Sequence, residues 1–325
     1  MTFRVAHIGA GEWSRYAHGP TLRRLAEQSK VSLEGICDLQ FERALQFRDL
    51  FQYRLATNNI EELLAKTRPD AIVCTVNPMA TAALVRLLLP LAIPLFIEKP
   101  PGVSLVEAIS LATAATAARA FTFVAFNRRA IPSVVALRSW SAGRSVRFAR
   151  GEMLRTNRLE SGFAVATGIH VLDTIRYFIG DPDRIEVMSR PHANTSACDY
   201  SILLSRQNAS IAEISLMVNT GQKRESYCLF SEGESAEAIL GSAYGAGPDF
   251  KGYREWLGET VAKQTPIDTD PLVEGGFIGE YEQFLRLIEK GEASTCSLMD
   301  AARSMQLAEA VHKQFSGRLP VLSLG

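Results

Sequence analysis

The first 127 residues alternate short β-rich apolar runs with segments whose apolar residues recur at helical spacing. The β-rich runs are FRVAHIG, VSLEGICD, AIVCTV, PLFIEK and FTFVAFN, and helical patterns such as PTLRRLAEQ and LVEAISLATAATAAR lie between them. Repeated β-α-β units require parallel strands, right-handed crossovers and helices on both faces of the sheet. The alternation therefore predicts an α/β fold whose first domain, residues 1–125, is a doubly wound parallel sheet of the Rossmann type.

The pattern changes after Asn127. GIHVLDTIRYFIG predicts a helix that ends at Gly180, and four β-rich runs then follow one another: RIEVMSR, DYSILLSR, ASIAEISLMV and ESYCLFSE. Strands that follow strands are typical of an antiparallel sheet. We therefore expect a second, α+β domain over residues 126–325, with a large, mostly antiparallel open sheet. The boundary has no flexible linker, which predicts that the domains pack together around a cleft.

Charge and composition argue against several classes of partner. Lys plus Arg equals Asp plus Glu at 35 each, so the chain as a whole has no field that attracts nucleic acid or an acidic membrane. The most apolar region, residues 71–97, contains Arg86 and three prolines, which favours core elements over a membrane span. The five cysteines are far apart and lack metal spacing. We expect a cytoplasmic protein with no nucleic-acid partner, no membrane partner and no metal.

The stretch HIGAGEWSRYAH follows the first predicted strand and precedes a helix. Gly9, Gly11 and Ser14 occupy the three positions of G-x-G-x-x-G, which allow a tight turn, close approach of a pyrophosphate and helix packing. Asp38 ends the second predicted strand, where such sheets place the acid that binds the adenosine ribose. A carboxylate repels a 2′-phosphate and the next two residues are not cationic, so NAD is favoured, with NADP possible. An ordinary turn residue is the alternative for Asp38.

In LFIEKPPGVS an apolar run ends in two opposite charges, Glu98 and Lys99, that precede two prolines. A buried strand of an open α/β sheet carries its ligands at its carboxyl end. An ammonium there can stabilise an alkoxide that develops on a substrate, and the prolines restrict the chain beyond it. The alternative is a solvated ion pair at a strand end.

Five segments, in order along nearly the whole chain, resemble the Gfo/Idh/MocA family of sugar and polyol oxidoreductases: GAGEWSRYAHGP, IEKPPGVSLVEA, AFNRRAIP, TGIHVLDTIRYFIGD and GGFIGEYEQFLRLIEKG. The resemblance implies a Rossmann domain followed by an α/β domain with an open sheet. It also implies that Lys99 binds the reacting hydroxyl and that His170 takes its proton, a role that suits imidazole near neutral pH. A buried core histidine is the alternative for His170.

We also expect Asp173 to take part in catalysis, with an ordinary carboxylate on a helix face as an equal alternative. The expected cofactor-binding residues are Gly9, Gly11, Glu12, Trp13, Ser14, Asp38, Thr75, Asn77, Glu98, Lys99 and Asn127. The expected substrate contacts lie in the segment that precedes the His170 helix and are Arg155, Asn157 and Arg158. Arginines suit a carboxylate or phosphate. A solvated loop is the alternative for them.

The chain departs from the family at Ala166, where many members have an aspartate four residues before the histidine. The departure implies a substrate other than a plain sugar, or weakened chemistry. The resemblance implies an NAD(P)-dependent dehydrogenase that moves a hydride between nicotinamide and a secondary hydroxyl of a sugar, polyol or sugar derivative.

Two alternative functions stay open: an NAD-retaining glycoside hydrolase that acts by transient oxidation, and a non-catalytic dinucleotide-binding sensor. Apolar residues that alternate along DYSILLSR and ASIAEISLMV fit a sheet face that pairs with another copy, as in the family. We therefore expect a homodimer or homotetramer.

Overall fold

The computed structural model describes residues 1–207, 209–241 and 250–322. The described chain forms two compact units. The first contains Met1–Ala125 and Phe277–Ala302, and the second contains Phe126–Gly276 and residues 303–322. Across these ranges, no helix is long and apolar enough to cross a membrane.

The first unit contains the predicted parallel sheet. Its strands are β1 (Phe3–Ile8), β2 (Val31–Cys37), β3 (Leu55–Thr57), β4 (Ala71–Cys74), β5 (Leu95–Glu98) and β6 (Thr122–Ala125). In the part of the chain that is described they are ordered β3-β2-β1-β4-β5-β6, and every pairing is parallel. This order is that of a dinucleotide-binding sheet, in which ligands bind at the carboxyl ends of the strands near the β1–β4 switch point.

The helices of the first unit are α1 (Gly19–Glu27), α2 (Phe41–Phe51), α3 (Ile60–Thr67), α4 (Pro78–Leu88), α5 (Leu105–Ala117) and α9 (Phe277–Lys290). Three of them, α3, α4 and α5, begin at residues whose side chains bind their free amides. Asn59, Asn77 and Ser104 accept hydrogen bonds from the first turns of α3, α4 and α5. Such caps fix where each helix begins.

Helix α9 belongs to the first unit, although the expected second domain ran from residue 126 to 325. The apolar side of α9 packs on β5 and β6: Tyr281 stacks on Phe96 with ring centroids 4.2 Å apart. Phe284 meets Phe96 and Phe123 edge-on, at 5.5 and 5.8 Å. Aromatic contacts between positions far apart in the sequence therefore decide which unit holds this helix.

The second unit contains the predicted open sheet. Its strands are β7 (Phe148–Leu154), β8 (Arg184–Pro191), β9 (Cys198–Ser205), β10 (Ile211–Met217), β11 (Arg224–Phe230), β12 (Glu234–Ile239), β13 (Gly252–Leu257), β14 (Thr260–Pro266) and β15 (Gly317–Arg318). Within the described ranges their order is β14-β13-β12-β11-β7-β10-β9-β8-β15. Strands β7 and β10 pair in parallel, and the other described pairs are antiparallel.

Helix α7 (Ile169–Ile179) packs on one face of this sheet and ends at Gly180, as the sequence predicts. A Cβ on Gly151 of β7 would lie 2.9 Å from both Val171 and Ile175, so the absence of a side chain lets α7 approach the sheet. The remaining described helices are α6 (Pro132–Ser141), the single turn α8 (Pro271–Glu274) and α10 (Leu298–His312), and the division between the units falls within α10.

Strands β12, β13 and β14 are absent from the sequence prediction. Every residue of β14 is exposed, so the strand has no buried side and no alternating apolar pattern. It pairs with β13 across a tight turn at Gly258, whose φ is +59°. Hydrophobic periodicity cannot reveal a strand of this kind.

Candidate active site

The glycine turn follows β1, and Gly9 is required there. Its φ is +108°, and a Cβ would lie 2.5 Å from the carbonyl oxygen of Thr75 at the end of β4. Gly11 has no atom within 4 Å of its Cβ position, so the space beside it is open. The turn thus has the close packing and the open cradle that a pyrophosphate needs.

Asp38 lies directly after β2 and is half-buried. Its Oδ2 accepts a hydrogen bond from the Ala10 amide at 2.8 Å, and its Oδ1 accepts one from the Gln40 amide at 2.9 Å. A carboxylate has about four acceptor positions, so two bonds to the backbone leave capacity for ribose hydroxyls. Asp38 therefore both fixes the glycine turn and fits the expected cofactor role.

Ser14 and Thr75 lie in a buried network beneath the turn. Their hydroxyl oxygens are 2.6 Å apart, and the Thr75 hydroxyl is 2.7 Å from Nε2 of His7. Tyr53 is 3.0 Å from the other ring nitrogen of His7. Burial lowers the pKa of His7 well below its ordinary value, so the ring is neutral. His7 and Tyr53 are not among the predicted site residues, because they lie on an apolar strand and in the loop before β3 and carry no motif.

Glu98 at the end of β5 is held by two residues of the segment after the glycine turn. Its Oε1 accepts a hydrogen bond from the Trp13 indole at 2.8 Å and lies 3.1 Å from Nε2 of His18, whose Nδ1 is 2.9 Å from the Tyr281 hydroxyl. Burial alone would raise the pKa of Glu98, but His18, Lys99 and Trp13 together lower it, so Glu98 is ionised at neutral pH.

Lys99 follows Glu98 directly, is half-buried, and precedes Pro100 through a cis peptide bond. Its charge acts on the Glu98 carboxylate. Lys99 therefore lies at the carboxyl end of a buried parallel strand, as the sequence predicts. Asn77 occupies the same edge after β4, where its exposed side chain caps α4 through the Met79 amide at 3.0 Å.

Two π-helical turns occur at expected functional positions. One, Ser14–His18, connects the glycine turn to α1, and the other, Ala164–Gly168, leads into α7 just before His170. Glu12 is exposed before the first turn, and Ala166 is exposed within the second. Turns of this geometry are frequent at functional sites. The wider turn alters which side chains share a face of the helix.

His170 lies in the first turn of α7 and is 4% exposed. Its ring is perpendicular to that of Phe126, with centroids 6.4 Å apart. Asp173 is fully buried in the same helix: its carboxylate binds Arg129 through both oxygens, at 2.6 and 2.8 Å, and accepts a bond from Ser304 at 2.6 Å. These contacts bind the Asp173 carboxylate to groups of the second unit, and its expected catalytic role stays a prediction.

Asn127 is also buried, and both ends of its amide bind protein groups. Nδ2 donates to the Gly275 carbonyl at 2.8 Å, and Oδ1 accepts from Arg128 at 3.1 Å. The expected cofactor contact by Asn127 therefore competes with bonds that hold the start of the second unit.

Arg155 is 4% exposed and lies beside a fully buried carboxylate, Glu225. Its Nη1 donates to the carbonyls of Leu154 and Arg224, at 2.9 and 3.1 Å, and its Nη2 binds Glu225. Arg128 binds the same carboxylate, with Nε 3.1 Å from Oε1. Burial alone would raise the pKa of Glu225, but the two guanidiniums lower it to about 2. Arg155 was expected to contact substrate, whereas its described bonds are to protein groups.

Arg158 and Asn157 lie on the loop beyond β7. Arg158 donates to Glu160 at 2.7 Å and to Thr167 at 2.9 Å, which joins this loop to the turn before His170. Asn157 is exposed and has a φ of +54°. Among the residues that the structure describes, no group of three or more His, Cys, Asp or Glu side chains could hold a metal ion.

Comparison with known families gives two matches. Residues 3–126 match the sequence profile described as "Oxidoreductase family, NAD-binding Rossmann fold", and residues 149–322 match "Oxidoreductase family, C-terminal alpha/beta domain". Together the two profiles cover most of the chain. No curated protein sequence gives a match.

Several solved structures have the same fold. An oxidoreductase from Agrobacterium radiobacter in complex with NAD⁺, L-tartaric acid and magnesium is 18% identical, with a TM-score of 0.78 over 96% of each chain. UDP-N-acetylglucosamine 3-dehydrogenase from Acidithiobacillus ferrooxidans is 17% identical, with a TM-score of 0.81 over 97% of this chain and 98% of that one. A Gfo/Idh/MocA family oxidoreductase from Vibrio cholerae is 19% identical, with a TM-score of 0.81 over 96% and 97%.

Two glycine variants separate packing from cofactor binding. In Gly9→Ala the methyl group meets the Thr75 carbonyl, so we expect a lower melting temperature together with loss of NAD binding. In Gly11→Ala the methyl group meets no protein atom, so we expect an unchanged melting temperature and NAD affinity at least about tenfold weaker, or about 1.4 kcal/mol. Calorimetric titration with NAD measures both, and wild-type affinity in Gly11→Ala would contradict the assignment.

Glu225→Gln tests the buried ion cluster. We expect the free energy of unfolding to fall by about 3–5 kcal/mol at neutral pH, because two buried guanidiniums lose their anion. The pKa of Glu225 is about 2 in the folded chain, against an ordinary value of 4.5. The stability that its ionised form contributes is therefore fully present above about pH 4.5 and is lost as the pH falls toward 2. Urea unfolding from pH 7 to 2.5 should show the smaller pH dependence in Glu225→Gln. Glu213→Gln, at an exposed ion pair with Arg150, is the control. If the free energy of unfolding depends on pH equally in Glu225→Gln and wild type, the buried ion cluster does not have the proposed effect.

Proposed function

Because this chain belongs to the Gfo/Idh/MocA oxidoreductase family, we propose that it is a dehydrogenase that uses NAD to oxidise a secondary hydroxyl of a sugar, polyol or sugar derivative. The observation that carries the proposal is the position of Lys99. It follows the buried strand β5, beside a carboxylate that Trp13 and His18 hold in place. An ammonium held there can bind and polarise a substrate hydroxyl.

The cofactor would be held by the turn after β1 and by the residues at the neighbouring strand ends. The open space beside Gly11 accommodates the pyrophosphate near the start of the following helical segment, and Asp38 accepts hydrogen bonds from the ribose. When bound, NAD supplies the acceptor for the hydride. Leu39 beside Asp38 is 92% exposed and has no charge to bind a 2′-phosphate, which favours NAD over NADP.

We propose that Lys99 and His170 divide the proton chemistry. Lys99 binds the hydroxyl oxygen and stabilises its developing negative charge, and His170 removes the proton. The position four residues before His170 is Ala166, so the chain provides no carboxylate there to bind a substrate hydroxyl. The substrate therefore differs from that of relatives that carry an aspartate at this position.

Replacement of Lys99 by alanine tests the proposal. We expect NAD affinity to stay within about twofold, because the glycine turn and Asp38 remain, while kcat falls about 100- to 10,000-fold through loss of the group that assists proton transfer. Wild type is first screened with sugars, polyols and sugar acids for NADH formation, with NADP in parallel. Lys66→Ala, at an exposed pair on α3, is the matched control.

The outcome separates the proposal from its alternatives. Sugar release without net NADH would indicate the NAD-retaining glycoside hydrolase instead. A ligand response that survives Lys99→Ala, with no turnover in wild type, would indicate the sensor.

We also propose a homodimer or homotetramer that uses the sheet face opposite α7. Met188, Leu203 and Ile211 on β8, β9 and β10 share this face and are 72%, 39% and 44% exposed. Three large apolar side chains on one open face fit an interface between copies. Light scattering should give an oligomer for wild type and a smaller species for Leu203→Glu. A monomeric wild type would refute the proposal.

A further inference from the structure

The π-helical turn Ser14–His18 determines which side chains reach the end of β5. The turn closes with an amide-to-carbonyl hydrogen bond that spans five residues. Residues five apart point about 140° away from each other in an α-helix, whereas in a π-turn they lie nearly above one another. Trp13 and His18 are five apart, and a ring nitrogen of each lies against Oε1 of Glu98, at 2.8 and 3.1 Å. The wider turn therefore brings two ring nitrogens to one carboxylate oxygen.

The hydrogen-bond partners of His18 determine which of its ring nitrogens carries the proton. The ionised Glu98 carboxylate can only accept, so Nε2 of His18 donates to it. The Tyr281 hydroxyl lies 2.9 Å from Nδ1. Burial raises the pKa of Tyr281 well above its ordinary value, so the hydroxyl keeps its proton and can donate it to Nδ1. In the described part of the chain no other acceptor meets that hydroxyl, and a doubly protonated ring would leave the phenol proton unbound.

The Tyr281 hydroxyl is held in place by the packing of α9 on β5. The Tyr281 ring stacks on Phe96, with centroids 4.2 Å apart and an angle of 8° between the planes. Phe96 and Glu98 are two residues apart on β5, so their side chains share one face of the strand. The His18 ring meets the Phe96 and Tyr281 rings edge-on, with centroids 5.9 Å from each. Four side chains thus form a closed ring of contacts that holds the Glu98 carboxylate in one position.

We infer that His18 is a positioning residue of the proposed dehydrogenase. Tyr281 holds it as the neutral tautomer with the proton on Nε2, and His18 in turn fixes the Glu98 carboxylate and the strand end that carries Lys99. A displacement of about 1 Å at a reacting group can cost about 100-fold in rate, so a residue that touches neither cofactor nor substrate can still control turnover. Only the effect on turnover rests on the proposed function, because the tautomer and the position of Glu98 can be measured without it.

The tautomer is tested by ¹⁵N NMR of wild-type protein labelled at histidine, since protonated and bare ring nitrogens give well-separated resonances. His18 is assigned by comparison with His18→Gln. We expect Nε2 to carry the proton and Nδ1 to be bare at neutral pH. In Tyr281→Phe the Nδ1 resonance should move, because its donor is lost, while Nε2 stays protonated. A doubly protonated ring, or a proton on Nδ1, would overturn the inference.

The position of Glu98 is tested by crystal structures of wild type, His18→Leu and His18→Gln. Leucine makes neither hydrogen bond, whereas the glutamine amide can donate to Glu98 and its carbonyl can accept from Tyr281. We expect the Glu98 carboxylate to move by more than about 1 Å in His18→Leu and to keep its wild-type position in His18→Gln. An unmoved carboxylate in His18→Leu would mean that Trp13 alone holds it, and the inference would fail.

The effect on turnover is measured with a substrate that wild type oxidises. We expect His18→Leu to lower kcat about 10- to 100-fold, with KM and NAD affinity within about threefold, because the glycine turn and Asp38 remain. His18→Gln should recover most of kcat. Equal losses of kcat in both variants, or loss of NAD binding together with kcat, would contradict a positioning role and show that His18 supports the glycine turn instead.

Tyr281→Phe separates the hydroxyl from the packing, because the ring can still stack on Phe96. A buried Nδ1 then lacks its donor, and we expect kcat to fall about three- to tenfold with KM unchanged. Tyr253→Phe, which loses a hydroxyl bonded to Glu255 in the second unit, is the matched control and should keep the wild-type kcat. If Tyr281→Phe lowers only the melting temperature, the tyrosine is structural and its part in the inference is refuted.

Failure of the proposed function would give a different result. If wild type oxidises none of the sugars, polyols or sugar acids, the dehydrogenase assignment fails, while NMR and crystallography still decide the tautomer and the position of Glu98. Turnover that survives Lys99→Ala but falls in His18→Leu would overturn the proposed role of Lys99 and leave His18 as the residue that positions Glu98.

Discussion

The parallel pairing of β1 with β2 and β4 is the constraint on which the cofactor site depends. It brings the residues that follow three separate strands to one edge: the glycine turn, Asp38 and Thr75. At this edge the three features also constrain one another. Asp38 binds the Ala10 amide, and the Thr75 carbonyl lies so close to Gly9 that no side chain fits at residue 9. Strand β5 extends the same edge and adds Glu98, which Trp13 and His18 hold. A buried sheet of apolar strands thus creates a polar edge whose geometry is set by backbone pairing.

The second unit depends on buried charge. Asp173 binds Arg129 and Ser304 beneath α7, and Glu225 binds Arg128 and Arg155 beneath the end of β7. Each carboxylate lies beside two guanidiniums: Asp173 beside Arg129 and Arg176, and Glu225 beside Arg128 and Arg155. Buried ion pairs of this kind contribute little net stability but cost much when one partner is removed. In this unit the buried ion pairs fix the positions of the side chains beneath α7 and beneath the end of β7.

Much of this could be predicted from the sequence, because the strands of the first unit are buried on both faces and alternate with amphipathic helices. The glycine turn, Asp38 and the Glu98-Lys99 strand end are where the pattern predicts. Other features left no signal. Strand β14 is exposed along its length, and α9 joins the first unit through aromatic contacts with β5 and β6. Asp173 binds Ser304, 131 positions away in the sequence, and Arg155 binds Glu225, 70 positions away, and no spacing rule connects these pairs.

The central claim is that Lys99 stands beside the reacting end of a dinucleotide bound over the glycine turn. A crystal structure of the protein with NAD⁺ tests it most directly. We expect the pyrophosphate over Gly11, the adenosine ribose on Asp38, and Nζ of Lys99 within about 4–5 Å of nicotinamide C4, close enough for one substrate carbinol to reach both. A dinucleotide absent from the glycine turn, or a lysine side chain turned into bulk solvent, would contradict it.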